Sequence, residues 1–262
     1  MKDHSRVEKS VLSFRVCDLD LEVLFTHELA RVVNHVVEPF VCNAKGRYSI
    51  LLNYKAAVGR SKATRPKTNI INANSDICEI RKWQKNSLEI DLFENTPLAV
   101  SISIAYLLIS ALSYHHGLLL HGAMLVRDSK AHILVGRSGA GKSTLAKNAA
   151  NMQCAHDDNV AVRYRQGCWY AYGIPTLDNA GLPGRNMCAP IEVVYLIEKS
   201  DSFQIVDLPT RLFLAGLPGS VIMPYTDPAM TINVAESLLT FATGIECRRL
   251  LFREDSDLGS QI

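Results

Sequence analysis

The chain has no excess of charge of either sign: 28 lysines and arginines face 26 aspartates and glutamates, for a net charge of +2. A nucleic-acid partner would call for a strongly basic surface, and this balance argues against one. The seven cysteines (Cys17, Cys42, Cys78, Cys154, Cys168, Cys188 and Cys247) include no C-x-x-C pair. An odd count without paired spacing argues against a disulfide framework or a zinc site, and fits reduced thiols in a cytoplasmic protein. No apolar run follows Met1-Lys2-Asp3-His4-Ser5-Arg6, so no signal peptide is expected. The longest apolar run, Leu98 to Leu112, is interrupted by Ser101, Ser103 and Ser110. It falls short of the roughly 20 residues that cross a bilayer, so a buried helix and no membrane partner are expected. There is no internal repeat, no low-complexity tract, and no hydrophobic run ending in Asp-Glu of the kind a hydrolysing motor carries.

What remains is ordinary globular composition, 48% hydrophobic and 21% charged over 262 residues, enough for one large domain or two small ones. Lys55, Arg60, Lys62, Arg65 and Lys67 cluster among small polar residues and read as a solvated loop before a binding patch. Short alternating runs such as Val11–Val16 precede a helical stretch around Leu21–Val37. Residues 61–76 read as a long polar loop. Ile77–Phe93 alternates as strands of an antiparallel sheet. Asn95-Thr96-Pro97 opens a helix, with a Thr cap and Pro at the first helical position, that runs to about His115 and stops at Gly117. Leu118–Val126 and Ala131–Val135 read as two strands joined by the polar turn Arg127–Lys130. Further strands are expected at Cys168–Ile174 and Ile191–Ile197, and a helix near Ala235–Thr243. The tail from Glu254 reads as acidic and frayed.

The chemistry begins after the second of those paired strands. Gly136-Arg137-Ser138-Gly139-Ala140-Gly141-Lys142-Ser143-Thr144 fits G-x-x-x-x-G-K-[ST] at every fixed position, between an apolar strand and the helix-friendly Leu145–Ala150. Glycines let backbone N–H groups converge on phosphate oxygens. Lys142 would reach the β- and γ-phosphates of ATP, with GTP equally open, and the Ser143 hydroxyl would ligate Mg²⁺. An accidental match in a chain this long has odds of about one in a hundred.

Asp157-Asp158 follows some 15 residues after the loop. One carboxylate can hold Mg²⁺ while a second accepts a proton from an attacking hydroxyl. Adjacent residues on an extended chain point to opposite faces, so the two are expected to do different jobs. A plain Asp-Asp turn satisfying backbone donors is the simpler alternative. His121-Gly122 interrupts an apolar strand. The glycine implies a close backbone approach, and the histidine reads equally as a core residue or a site residue. Arg137, Arg185 and Arg211 are the arginines open for offsetting charge on a transferred phosphoryl group.

The order of these pieces (strand with His121-Gly122, hairpin, phosphate loop, helix, then Asp157-Asp158 leading into a strand) resembles the catalytic domain of the HPr kinase family. That family is related to the nucleotide domain of phosphoenolpyruvate carboxykinases. The chain is most similar to the shorter HPr-kinase-like proteins, some of which phosphorylate a serine on precursors of lasso-type peptides. The resemblance covers about residues 115–200. It implies nucleotide phosphates on Gly136–Ser143 and Mg²⁺ on Ser143 with Asp158. It also implies Asp157 as base for the acceptor hydroxyl and His121 at the edge of the site. HPr kinases form ring-like oligomers, which adds a homo-oligomer to the open alternatives. HPr kinases proper carry a glutamate-arginine-glycine-rich signature where this chain has Gly173–Arg185 without it, so HPr as acceptor and the reverse dephosphorylation are not carried over.

The expected fold is α/β, with a mixed central sheet bearing the phosphate loop in residues 113–262. An α+β region in residues 1–112 would pack on it and shape the acceptor pocket. The expected function is an ATP- and Mg²⁺-dependent kinase acting on a Ser or Thr hydroxyl of a peptide or small protein. A small-molecule kinase and a non-catalytic nucleotide-binding regulatory module are the alternatives.

Overall fold

The structure is a computed structural model describing residues 9–55, 77–178, 180–223 and 227–262. Its first sheet opens with the antiparallel hairpin of β1 (Lys9–Val16) and β2 (Leu19–Thr26), turned at Cys17-Asp18. After α1 (Ala30–Val37) come β3 (Tyr48–Tyr54), β4 (Cys78–Gln84) and β5 (Ser87–Leu92), giving the order β1-β2-β3-β5-β4. The helix expected around Leu21–Val37 is instead strand to Thr26, a 3₁₀ turn over His27–Leu29 and α-helix from Ala30. Leu21, Val23 and Phe25 are buried on one face while Glu22 and Leu24 turn away, and that period of two belongs to a strand. β4 and β5 pair antiparallel as expected, but β2, β3 and β5 run parallel, so this sheet is mixed. Most of the basic cluster and the expected 61–76 loop lie outside the described residues.

α2 (Pro97–Ser113) packs against β3 and β5 on one side and the second sheet on the other. Thr96 caps it by accepting from the Ala99 N–H at 3.3 Å. The serines that punctuate its apolar run are absorbed locally. Ser103 and Ser113 donate to the Ala99 and Ser110 carbonyls, while Ser101 accepts from the Leu177 N–H. With its polar atoms satisfied, the helix can be buried nearly all round. Each large apolar side chain it buries contributes about 1.5–3 kcal/mol.

The second sheet has eight strands. β6 (Gly117–Arg127) and β7 (Lys130–Val135) form the expected hairpin, turned at Asp128 and Ser129 with positive φ. They are followed by α3 (Lys142–Lys147), β8 (Gln153–His156), β9 (Asn159–Arg165), β10 (Cys168–Tyr172) and β11 (Cys188–Lys199). Then come β12 (Gln204–Asp207), α4 (Thr210–Gly216), α5 (Pro228–Gly244) and β13 (Cys247–Phe252). The order is β10-β9-β6-β7-β11-β13-β12, with β8 alongside the second half of β6. β7, β11 and β13 are parallel and the remaining pairings are antiparallel, so a mixed sheet is what forms. β6 and β11 are long enough to bend. The start of β6 pairs β9 and its end pairs β7, while the start of β11 pairs β10 and its end pairs β7. The strands β6, β9, β10, β11 and β7 thereby close into a ring.

The C-terminal tail is docked rather than frayed. Leu258 is fully buried, Asp257 accepts from the Ala150 N–H at 2.8 Å, and Arg127 donates to the Gly259 carbonyl at 3.0 Å. These contacts pin it beneath the end of α3.

Candidate active site

The glycine loop 136–144 joins β7 to α3 at the carboxyl end of β7, the outer of the three parallel strands, and carboxyl strand ends are where α/β sheets place their ligands. Gly141 has φ +100°, and a Cβ there would lie 2.7 Å from Cζ of Phe252 on β13. Handedness and space both require glycine. Arg137, Ser138 and Gly139 are exposed at the loop crest, Ser143 is half-buried and Thr144 is exposed on α3. Ala140 donates to the Arg137 carbonyl at 3.1 Å, tightening the crest. Lys142 is only 5% exposed, and its Nζ donates to the carbonyls of Gly136 and Arg137 at 3.0 and 3.2 Å. Burial lowers its pKa, and the nearby Asp158 carboxylate opposes that shift.

Asp157 and Asp158 form the turn between β8 and β9. Three contacts hold it. The Gly122 N–H donates to the Asp158 carbonyl at 2.9 Å, and His156 Nδ1 accepts from the N–H groups of Asp158 and Asn159 at 3.1 and 3.0 Å. Because Nδ1 accepts, the His156 proton sits on Nε2, which donates to the Thr176 carbonyl at 2.8 Å. Burial keeps this ring's pKa below the usual histidine value, consistent with that neutral tautomer. His156 was not among the expected site residues. It stands directly before the acidic pair, but nothing local in the sequence indicates that its ring is folded under the turn.

The turn sends the two carboxylates to different places. Asp158 faces the loop. Its Oδ1 is 3.3 Å from His121 Nδ1, its Oδ2 accepts from Asn159 Nδ2 at 2.8 Å, and it is the carboxylate that acts on Lys142. His121 has its pKa lowered by burial first and by Lys142 second, with Asp158 opposing both. His121, Lys142 and Asp158 are thus brought together. The close approach expected at Gly122 is present, since a Cβ there would lie 2.8 Å from the Leu134 carbonyl oxygen on β7. His115, by contrast, bonds the Tyr48 hydroxyl at 2.8 Å, away from the loop.

Asp157 turns the other way. It is 7% exposed, and its Oδ1 is buried with no hydrogen-bond partner among the described residues. It lines a cavity of about 220 Å³ with Lys147, Asp178 and Arg185. An unpartnered buried carboxylate oxygen is costly and calls for an explanation outside packing. Of the three candidate arginines, Arg185 reaches this cavity, Arg137 is exposed on the loop, and Arg211 is exposed on α4. Among the described residues no three His, Cys, Asp or Glu side chains are grouped to hold a metal ion. A further cavity of about 450 Å³, lined by His132, Glu192 and Arg248, lies at the opposite end of β7 and β11 from the loop.

One solved structure similar to the chain is an HPr(Ser) kinase/phosphatase from Coxiella burnetii. It is 12% identical and covers 52% of this chain and 85% of its own, but the TM-score of 0.27 is too low to bear on the fold. No curated protein matches the chain. Residues 77–221, more than half of the sequence, match the family model described as SynChlorMet cassette protein ScmC, and the chain belongs to that family.

Proposed function

We propose that this chain is an ATP- and Mg²⁺-dependent phosphotransferase that moves the γ-phosphoryl group to a Ser or Thr hydroxyl of a small protein or peptide, such as the precursor of a lasso-type product. The observation that carries this reading is the division of the acidic pair. One carboxylate stands with His121 and Lys142 at a G-x-x-x-x-G-K-S loop. The other has an unpartnered oxygen in a cavity that Lys147, on the helix following the loop, also lines.

In this reading the N–H groups of residues 136–144 and the Lys142 ammonium cradle the phosphates. Ser143 and Asp158 would hold Mg²⁺. This ion is commonly bound by one or two carboxylates together with substrate phosphates. When bound, the ion would offset the negative charge of the transferred phosphoryl group. His121, kept neutral by burial and by Lys142, orients Asp158. Asp157 accepts the proton of the acceptor hydroxyl as that oxygen bonds the γ-phosphorus. The bond from phosphorus to the bridging oxygen breaks, and ADP leaves. Arg185 and Lys147 add positive charge on the acceptor side.

The modest volume beside Asp157 also favours a second reading, a small-molecule hydroxyl as acceptor. The test offers γ-labelled ATP and Mg²⁺ with a pool of Ser- and Thr-containing peptides, alongside a metabolite pool. Label on a peptide, lost in Lys142→Ala, is the expected result. Label found only on a metabolite overturns the peptide acceptor. Saturable nucleotide binding with no transfer to either pool overturns the enzyme in favour of a nucleotide sensor.

A further inference from the structure

Two flanks of the glycine loop are built differently. On the β6 and β8 side stand His121, Asp157 and Asp158. On the other side, β11 and β13 end in a cleft of about 520 Å³ lined by Lys199, Ser200, Asp201, Phe252, Arg253 and Glu254. None of these six was an expected site residue.

We propose that this cleft receives the nucleoside half, ribose and base, of the nucleotide whose phosphates lie on the loop. The inference rests on the reading given under Proposed function. Its logic is directional. The γ-phosphoryl must point toward the acidic pair, so the nucleoside must leave the loop on the opposite flank. The cleft at the ends of β11 and β13 is what that flank offers. Strands in a sheet lie about 4.8 Å apart, so β13 is about 10 Å from β7, a span suited to the sugar and base beyond the phosphates.

The join between loop and cleft is direct. The point a Cβ would occupy on Gly141 is 2.7 Å from Phe252 Cζ and 3.6 Å from Lys199 Cε. Phe252 is fully buried and acts as the floor. The Ser200 N–H donates to the Phe252 carbonyl at 2.8 Å and fixes the two strand ends to each other. Lys199 bridges to Glu254 at 2.6 Å across the cleft, and Arg253 holds Asp255 at 2.8 Å. Asp201 and Glu254 offer acceptors for ribose hydroxyls. Arg253 offers a planar cation on which a purine can stack.

The experiment compares binding of Mg-ATP and Mg-tripolyphosphate by calorimetry in the wild-type chain, Ser200→Trp, Arg253→Ala and Lys142→Ala. Ser200→Trp should fill the cleft and raise the Kd for ATP about tenfold while leaving tripolyphosphate unchanged. Arg253 is exposed, so its truncation keeps the test sound if the tryptophan variant fails to fold. Its expected effect has the same sign and is smaller. Lys142→Ala should weaken both ligands together. Unchanged ATP affinity in both cleft variants, or equal loss of ATP and tripolyphosphate, overturns the cleft assignment and leaves the phosphate loop standing. A wild-type chain that binds neither ligand overturns both.

Discussion

The two sheets share a device and put it to different uses. Each has three parallel strands: β2, β3 and β5 in the first, and β7, β11 and β13 in the second. In the first sheet the chain leaving β5 turns into α2 through Thr96 and Pro97, with the Thr96 hydroxyl accepting from the Ala99 N–H. Asp91 on β5 bonds Arg81 at 2.8 Å and Asn53 at 3.4 Å. In the second sheet the chain leaving β7 becomes a glycine loop with an exposed crest. The strands beside it end in a cleft on one side and in an acidic turn on the other. Parallel strand ends alone do not make a site. The connection must keep backbone donors available, and neighbouring strands must deliver charge to it.

The largest effect expected to sharpen that contrast lies within the acidic turn. Asp157→Asn should lower the transfer rate about 10²–10⁴-fold with nucleotide affinity kept, as for loss of a general base. Asp158→Asn should instead raise the Mg²⁺ concentration needed for half-maximal rate. Transfer rates across a Mg²⁺ titration decide between these roles, and identical profiles for the two variants would dissolve the division.

A middle-sized effect separates the sheets. Leu52→Ala, at a fully buried position on β3, should cost about 2–5 kcal/mol of stability while transfer per folded molecule stays the same. Gly141→Ala should cost about 1–3 kcal/mol through its positive φ and the Phe252 contact, and should also abolish nucleotide binding. Denaturation midpoints measured beside nucleotide affinity test the pair. If Leu52→Ala also weakened the nucleotide in the folded fraction, the contrast would fail.

The smallest effect is a pH dependence. His121, His132 and His156 all have pKa values held below the ordinary 6.5 by burial. Below pH 6.5 the unfolded chain therefore binds more protons than the folded one, and stability falls as pH drops from 6.5 toward the folded-state values. The loss is at most about 1.4 kcal/mol per pH unit for each histidine. Melting temperatures from pH 7.5 to 5 should decline, and His156→Gln, which removes one titrating ring, should flatten the slope. A flat wild-type profile would refute the burial argument.

Much of the fold was legible where the cause is local. The helix over Pro97–Ser113 follows from its cap and from an apolar run whose serines bond within or beside it. The β6–β7 hairpin follows from two apolar runs around a four-residue polar turn. In β2 (Leu19–Thr26) helical and alternating patterns overlap in so short an apolar segment, and burial on one face decides for the strand. The tail was misread because its composition is acidic, whereas its fate depends on Ala150 and Arg127, both more than a hundred residues upstream.

For the site, the sequence by itself determined the glycine loop, the lysine that follows it and the presence of two adjacent carboxylates, because backbone handedness and residue spacing are local properties. Only the tertiary structure decided that His156 and Gly122 hold the turn so that Asp158 stands beside His121 and within electrostatic reach of Lys142, while Asp157 lines the cavity next to Arg185. It alone also placed Lys199 and Phe252 against the loop. Those arrangements depend on which strands lie side by side, and strand pairing is chosen by the burial of whole faces and by hydrogen bonds between distant segments.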